Sequence, residues 1–137
     1  MTTRSAAPNG KRVHAFRDDA LGAHDAVALA ELVRRGEVSP QELAAAAVER
    51  ARSVEPQLHA IAYSMLEAPR YAERSDGALH GVPTFVKDNT DLRGVPSNHG
   101  SEAFTARPAK RDGYYARQYL STGMTVLGKS RLPEFGF

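Results

Sequence analysis

A lysine stands where a short apolar run gives way to polar turn residues, in Leu79-His80-Gly81-Val82-Pro83-Thr84-Phe85-Val86-Lys87-Asp88-Asn89. On a strand, side chains alternate in direction, so Lys87 shares a face with Pro83 and Phe85. Ligands of open α/β sheets bind in the crevice beyond the carboxyl ends of the strands, which puts a lysine at this position where a general base would be useful. Such a base must be neutral to act. A free lysine titrates near ~10.4, and bringing one near ~7 takes roughly 4 to 5 kcal/mol of selective destabilisation of the charged form, which burial can supply. Lys87 is therefore the candidate catalytic residue.

Its neighbours compete less well. Asp88 points to the other side of the strand from Lys87 and reads as a turn residue that caps backbone amides together with Asn89. Thr84 and Lys87 have the spacing of a Ser-x-x-Lys site, but three residues apart on a strand means opposite faces. Ser97, Ser101, Ser121 and Ser130 lie in no G-x-S-x-G elbow; Ser101 reads as a loop-shaping residue and Ser130 as a cap for the turn at 132–135. Histidines 14, 24, 59, 80 and 99 have no metal-ligand spacing, and His99 alone lies in the loop after Lys87. The glycines assemble no dinucleotide or phosphate-binding loop. Tyr114, Tyr115 and Tyr119 read as the core and rim of one helix.

The elements that must position Lys87 follow from local signals. Residues 1–22 show no apolar period and read as a flexible arm. Asp25 can cap a short amphipathic helix that stops at Gly36. Ser39-Pro40-Gln41-Glu42 has capping-box spacing, so a second helix starts at residue 40 and is expected to end before Pro56. An extended segment over 58–63 and a third helix over 65–74 follow. The pattern then becomes α/β: a strand at 82–87, a polar loop, a helix capped by Asp112 and ended by Gly123, and a β-rich run at 124–127. Strand, crossover helix and strand make a βαβ unit with parallel strands.

Composition bounds the alternatives. The 137 residues carry 42% hydrophobic and 25% charged side chains, ordinary values for one globular domain. The net charge of +2 comes from 18 basic and 16 acidic residues without a dense basic patch, which argues against nucleic-acid binding. Cysteine is absent, which removes thiolate chemistry and disulfides. No apolar run reaches the ~20 residues of a membrane span, and the expected location is cytoplasmic, with no membrane partner.

Three blocks in order, Leu79 to Asn89, Gly94-Val95-Pro96 followed by Gly100-Ser101, and Gly123 to Phe135, resemble the amidase signature family of serine hydrolases. The wording around Lys87 is most similar to the branch of bacterial 6-aminohexanoate cyclic-dimer hydrolases. The resemblance implies an α/β fold in which N-terminal helices precede a βαβ unit and a mixed sheet is flanked by helices. It implies hydrolysis of a carbon–nitrogen amide bond through an acyl-serine, by a Ser, cis-Ser, Lys triad, with no metal or organic cofactor. Lys87 matches the family's lysine, which takes a proton from the nucleophile through a bridging serine. The two serines belong to a Gly/Ser-rich segment that follows the last block in the family, so residues 23–137 are expected to be a partial amidase domain, inactive alone. The expected partners are a small-molecule amide and a complementing chain or a second copy. The alternatives are a non-catalytic interaction fragment and a degenerate product.

Overall fold

A computed structural model describes residues 13–74 and 76–137; residues 1–12 of the expected arm lie outside it. Helix α1 spans Ala26–Arg34, and the Asp25 carboxylate accepts the Ala28 amide at 2.8 Å. Gly36 closes it at φ 71°, a left-handed conformation that costs glycine little. Helix α2 spans Pro40–Leu58 behind a complete capping box: Ser39 Oγ accepts the Glu42 amide at 3.2 Å, and Glu42 Oε2 accepts the Ser39 amide at 2.8 Å.

The second helix does not end before Pro56 as the proline rule suggests but runs two residues past it, to Leu58. Proline removes a single backbone donor in this final turn, and the end is secured elsewhere. The Glu55 carbonyl accepts the His59 amide, and the Glu55 carboxylate accepts the amides of Ala60 and Ile61 at 3.0 Å each.

Three strands follow: β1, Ile61–Ser64; β2, Pro83–Lys87; and β3, Thr125–Ser130. They form a mixed sheet in the order β1-β3-β2, antiparallel between β1 and β3 and parallel between β2 and β3. Helix α3, Tyr114–Leu120, makes the crossover of the expected βαβ unit. The helix expected over 65–74 does not form. Its backbone is drawn to β3 instead: the Met65 amide donates to Leu127 O, and Arg70 and Val126 exchange both backbone hydrogen bonds.

The core lies on both faces of the sheet. Leu127 packs with Ala44 and Val48 of α2 and with Phe85, whereas its neighbour Val126 packs with Val86, Leu92, Val95 and Ala116 on the α3 side. This is strand alternation with both faces covered, as parallel pairs require. A third cluster joins Leu29 and Ala30 of α1 to Leu43 of α2 and Val82. Just before α1, Arg50 reaches back from α2 to hold both oxygens of Asp19, at 2.6 and 2.8 Å, and the Gly22 carbonyl at 2.9 Å. Gly128 has no room for a side chain, since a Cβ there would lie 2.4 Å from Tyr63 O. Among the described residues no helix is long and apolar enough to cross a membrane.

Candidate active site

Lys87 closes β2, as its sequence position suggests, and is exposed. Its carbonyl accepts the Thr90 amide at 2.9 Å, which turns the chain sharply after the strand. The residue lines a cleft of about 800 Å³ together with Phe85, Asp91, Tyr115, Tyr119 and Ser130. Lys87 is directly opposite Ser130 in the parallel register. Ser130 does not cap the turn at 132–135; its hydroxyl lies 3.5 Å from Val86 O, beside the root of Lys87. Ser101 makes the link to that turn, donating to Glu134 Oε1 at 2.5 Å.

Asp88 is more than a turn residue. It is 2% exposed, and its Oδ1 lies 2.9 Å from Nζ of Lys129, a lysine with no exposure at all. Nζ also donates to the Pro96 carbonyl at 2.8 Å and to Ser97 Oγ at 2.7 Å. The ammonium thus makes two hydrogen bonds and one ion pair. Fully buried, Lys129 does not face a substrate. Sequence reasoning passed over it, although the signal existed: Lys129 continues the apolar run Met124–Leu127, and a charge inside a buried strand must find a partner. Lys87, by contrast, makes no side-chain hydrogen bond or ion pair among the described residues. The two lysines divide the properties of a catalytic amine: one is free and solvated, the other buried and occupied.

His99 takes a left-handed conformation at φ 52° and donates its amide to Asp88 O at 3.2 Å. Its ring packs against Phe104 and Phe135, with centroids 6.5 and 6.4 Å away, so the side chain belongs to an aromatic cluster. Tyr119 donates to or accepts from Thr84 Oγ1 at 2.8 Å and stacks on Tyr115, while Tyr114 and Tyr115 stand mainly in solvent. Tyr119, half-buried against the core cluster, and the exposed Tyr114 and Tyr115 are thus core and rim of one helix.

Asp112 does not cap α3; Gly113 occupies that position without a side-chain bond. Its carboxylate is taken by Arg70 in a two-pronged pair, at 2.8 and 2.7 Å, and also accepts the Arg93 amide. Hydrogen bonding from Arg70 outweighs the opposing effect of burial and lowers the Asp112 carboxyl to about 2. This pair fastens the segment before β2 to the start of α3, on the side of the helix that backs the cleft.

Comparison with known proteins identifies the setting. The family described as Amidase matches residues 42–137. A Mycobacterium leprae protein named as amidase AmiC is 46% identical over 129 residues, which cover 93% of this chain and 28% of that protein. The 6-aminohexanoate-cyclic-dimer hydrolase of Paenarthrobacter ureafaciens is 34% identical, covering 82% of this chain and 24% of its own length. A solved structure of a 6-aminohexanoate cyclic dimer hydrolase superposes with a TM-score of 0.69 at 30% identity, covering 87% of this chain and 25% of the other. The chain thus spans about a quarter of the length of these relatives.

Proposed function

Because the chain belongs to the amidase family, we propose that it supplies the lysine-bearing segment of an amide hydrolase, with Lys87 as the proton-transferring base. In that reading a neutral Lys87 amine accepts a proton from a bridging serine as that serine takes one from the nucleophilic serine. The nucleophile then attacks the amide carbonyl. The proton returns from Lys87 to the leaving nitrogen as the carbon–nitrogen bond breaks, and water releases the acyl group by the same relay run again. The substrate is a small amide, linear or cyclic, and the cyclic-dimer relative favours including cyclic diamides among those tried. The observation that carries the reading is the contrast between the two lysines: Lys87 is free in a cleft at the carboxyl end of a parallel strand.

No serine hydroxyl among the described residues is hydrogen-bonded to Lys87, so the 137-residue chain alone is expected not to hydrolyse aliphatic, aromatic or cyclic amides. Joined to the part of M. leprae AmiC that follows the matched segment, it is expected to hydrolyse them, and Lys87→Ala then lowers the rate by roughly 10⁴-fold, as for loss of a triad member. Undiminished hydrolysis by the Lys87→Ala fusion would remove Lys87 from the mechanism. Turnover by the chain alone that survives replacement of every serine but is lost in Lys87→Ala would overturn the expected inactivity of the chain alone and the acyl-serine route.

A second reading, interaction with a completing chain, is favoured by the free edge of β2. The carbonyl of Val82 and the amide of Asp88 bond to β3, so by alternation the odd-numbered peptide groups of Phe85 and Lys87 face away from it. Strand β1 is shorter, four residues against five, and each pairing with β3 carries a register irregularity, between Ile61 and Tyr63 on β1 and between Thr84 and Val86 on β2. A partner strand would add to β2 and bury Lys87. Protection of the Phe85 amide from hydrogen exchange only when the completing polypeptide is present supports this reading, and protection that rises with the concentration of the chain alone replaces it with self-association.

A further inference from the structure

We propose that Lys129 is a positioning residue for Lys87, acting through Asp88 and the loop that follows it; the inference rests on the reading of Lys87 as the base. Residue 88 is held from several directions. Its amide donates to Ser130 O at 3.0 Å, its carbonyl accepts from His99, and its two carboxylate oxygens take Lys129 Nζ at 2.9 Å and the Asn98 amide at 3.2 Å. Lys129 reaches the far limb of the same loop through Pro96 O and Ser97 Oγ. Ser97 passes the connection on, donating to Asp91 Oδ1 at 2.8 Å. One ammonium therefore joins the start of the loop at residue 88 to its return at 96 and 97. On the other side of Lys87, Val86 is buried in the core.

The consequence for Lys87 is a fixed root and a free tip. Its Cα sits between two immobilised residues while its amine remains unengaged, an arrangement suited to a base that must meet a relay hydroxyl at a set place. Stability alone does not call for an ion pair here. A buried pair can often be replaced by apolar residues of similar size without loss, whereas two hydrogen bonds to residues 96 and 97 combined with an ion pair to residue 88 define a loop conformation that apolar contacts would leave unspecified. Lys129 is thus the device that specifies where the strand ends and how the chain turns from it.

The test separates position from stability in the 137-residue chain itself. The double variant Lys129→Met/Asp88→Leu removes both charges and keeps apolar volume, and its urea midpoint is expected to stay near that of the parent. Its His99 amide, whose acceptor is the backbone carbonyl of residue 88, is nevertheless expected to exchange on the order of tenfold faster, with Val126 and Leu127 unchanged. The backbone order parameter at Lys87, measured by ¹⁵N relaxation, is expected to fall from about 0.85 toward 0.6. Unaltered exchange at His99 and an unaltered order parameter at Lys87 would overturn the proposal. Should the double variant not fold, Ser97→Ala removes one of the two hydrogen-bond acceptors alone, and unchanged exchange at Asn98 in that variant is equally contrary. These readouts need no turnover, so a failure of Lys87 as the base, seen in the AmiC fusion, is distinct from a failure of the anchor.

Discussion

Replacement of Asp112 by asparagine should cost stability in a way that depends on pH with a defined sign. The Asp112 carboxyl lies at about 2 in the folded chain against an ordinary 3.8, chiefly because Arg70 donates two hydrogen bonds to it. A shift of nearly two units at 1.36 kcal/mol each corresponds to about 2 kcal/mol of stability. The side chain of Asp112 is 15% exposed and that of Arg70 24%, so the pair is largely but not wholly removed from water. Freed of its partner, Arg70 can rehydrate in part, which keeps the cost below the ~3–5 kcal/mol of breaking a deeply buried pair. Since folding lowers the carboxyl's affinity for protons, the stabilisation is fully present above the unfolded value near 4 and is lost as pH falls through about 2. Urea unfolding of the parent and of Asp112→Asn should differ by about 2 kcal/mol at pH 7, by about half of that at pH 3, and by little at pH 2. Other carboxylates, Asp19 beside Arg50 among them, are common to both chains and drop out of the difference to the extent that distant sites add. A gap that stays constant from pH 7 to pH 2, or no gap at pH 7, would refute the assignment of that stability to the Arg70–Asp112 pair.

Three further substitutions probe the frame around the site. Gly128→Ala should detach β1 from β3, because its Cβ would lie 2.4 Å from Tyr63 O at a backbone φ of 148°; loss of amide protection at Tyr63, with β2–β3 protection retained, is the expected signature. Ser39→Ala should lower stability by about 1 kcal/mol in urea unfolding through loss of the capping box of α2. Leu43→Ala should lower it by about 2–5 kcal/mol, since Leu43 is fully buried where α1, α2 and Val82 meet.

What the sequence made legible was mainly local. Asp25, Ser39 and Gly36 act on residues within one turn of themselves, and their roles could be read from spacing. The strand ending at Lys87 was visible for the same reason, as was the crossover to β3. Errors arose where a partner lies far along the chain. Asp112 has the right spacing to cap α3, yet Arg70, 42 residues away, claims its carboxylate. Residues 65–74 carry helix-forming side chains, yet the Met65 amide and both backbone groups of Arg70 bond to β3. Asp88 reads as a turn former until Lys129 is placed beside it; a lysine inside a buried strand calls for a partner, but nothing local names the one 41 positions away. The candidate base could be named from the strand and its blocks; the ion pair beneath it could not.

The order of the strands has a consequence for how this chain comes to be made. β3 is last of the three in sequence and middle of the three in space, so neither β1 nor β2 has a neighbour until residues 125–130 exist. During synthesis the N-terminal helices can form from contacts within themselves, but the sheet must wait, with the β1 and β2 segments left unpaired for as long as it takes to add the intervening chain. Its assembly is then a single late event in which β3 inserts between two waiting strands. The same stretch delivers Lys129 to Asp88, so the turn after Lys87 acquires its anchor only at that moment. A ribosome stalled before residue 125 would hold a chain with helices and the lysine of the cleft, but without a cleft to put it in.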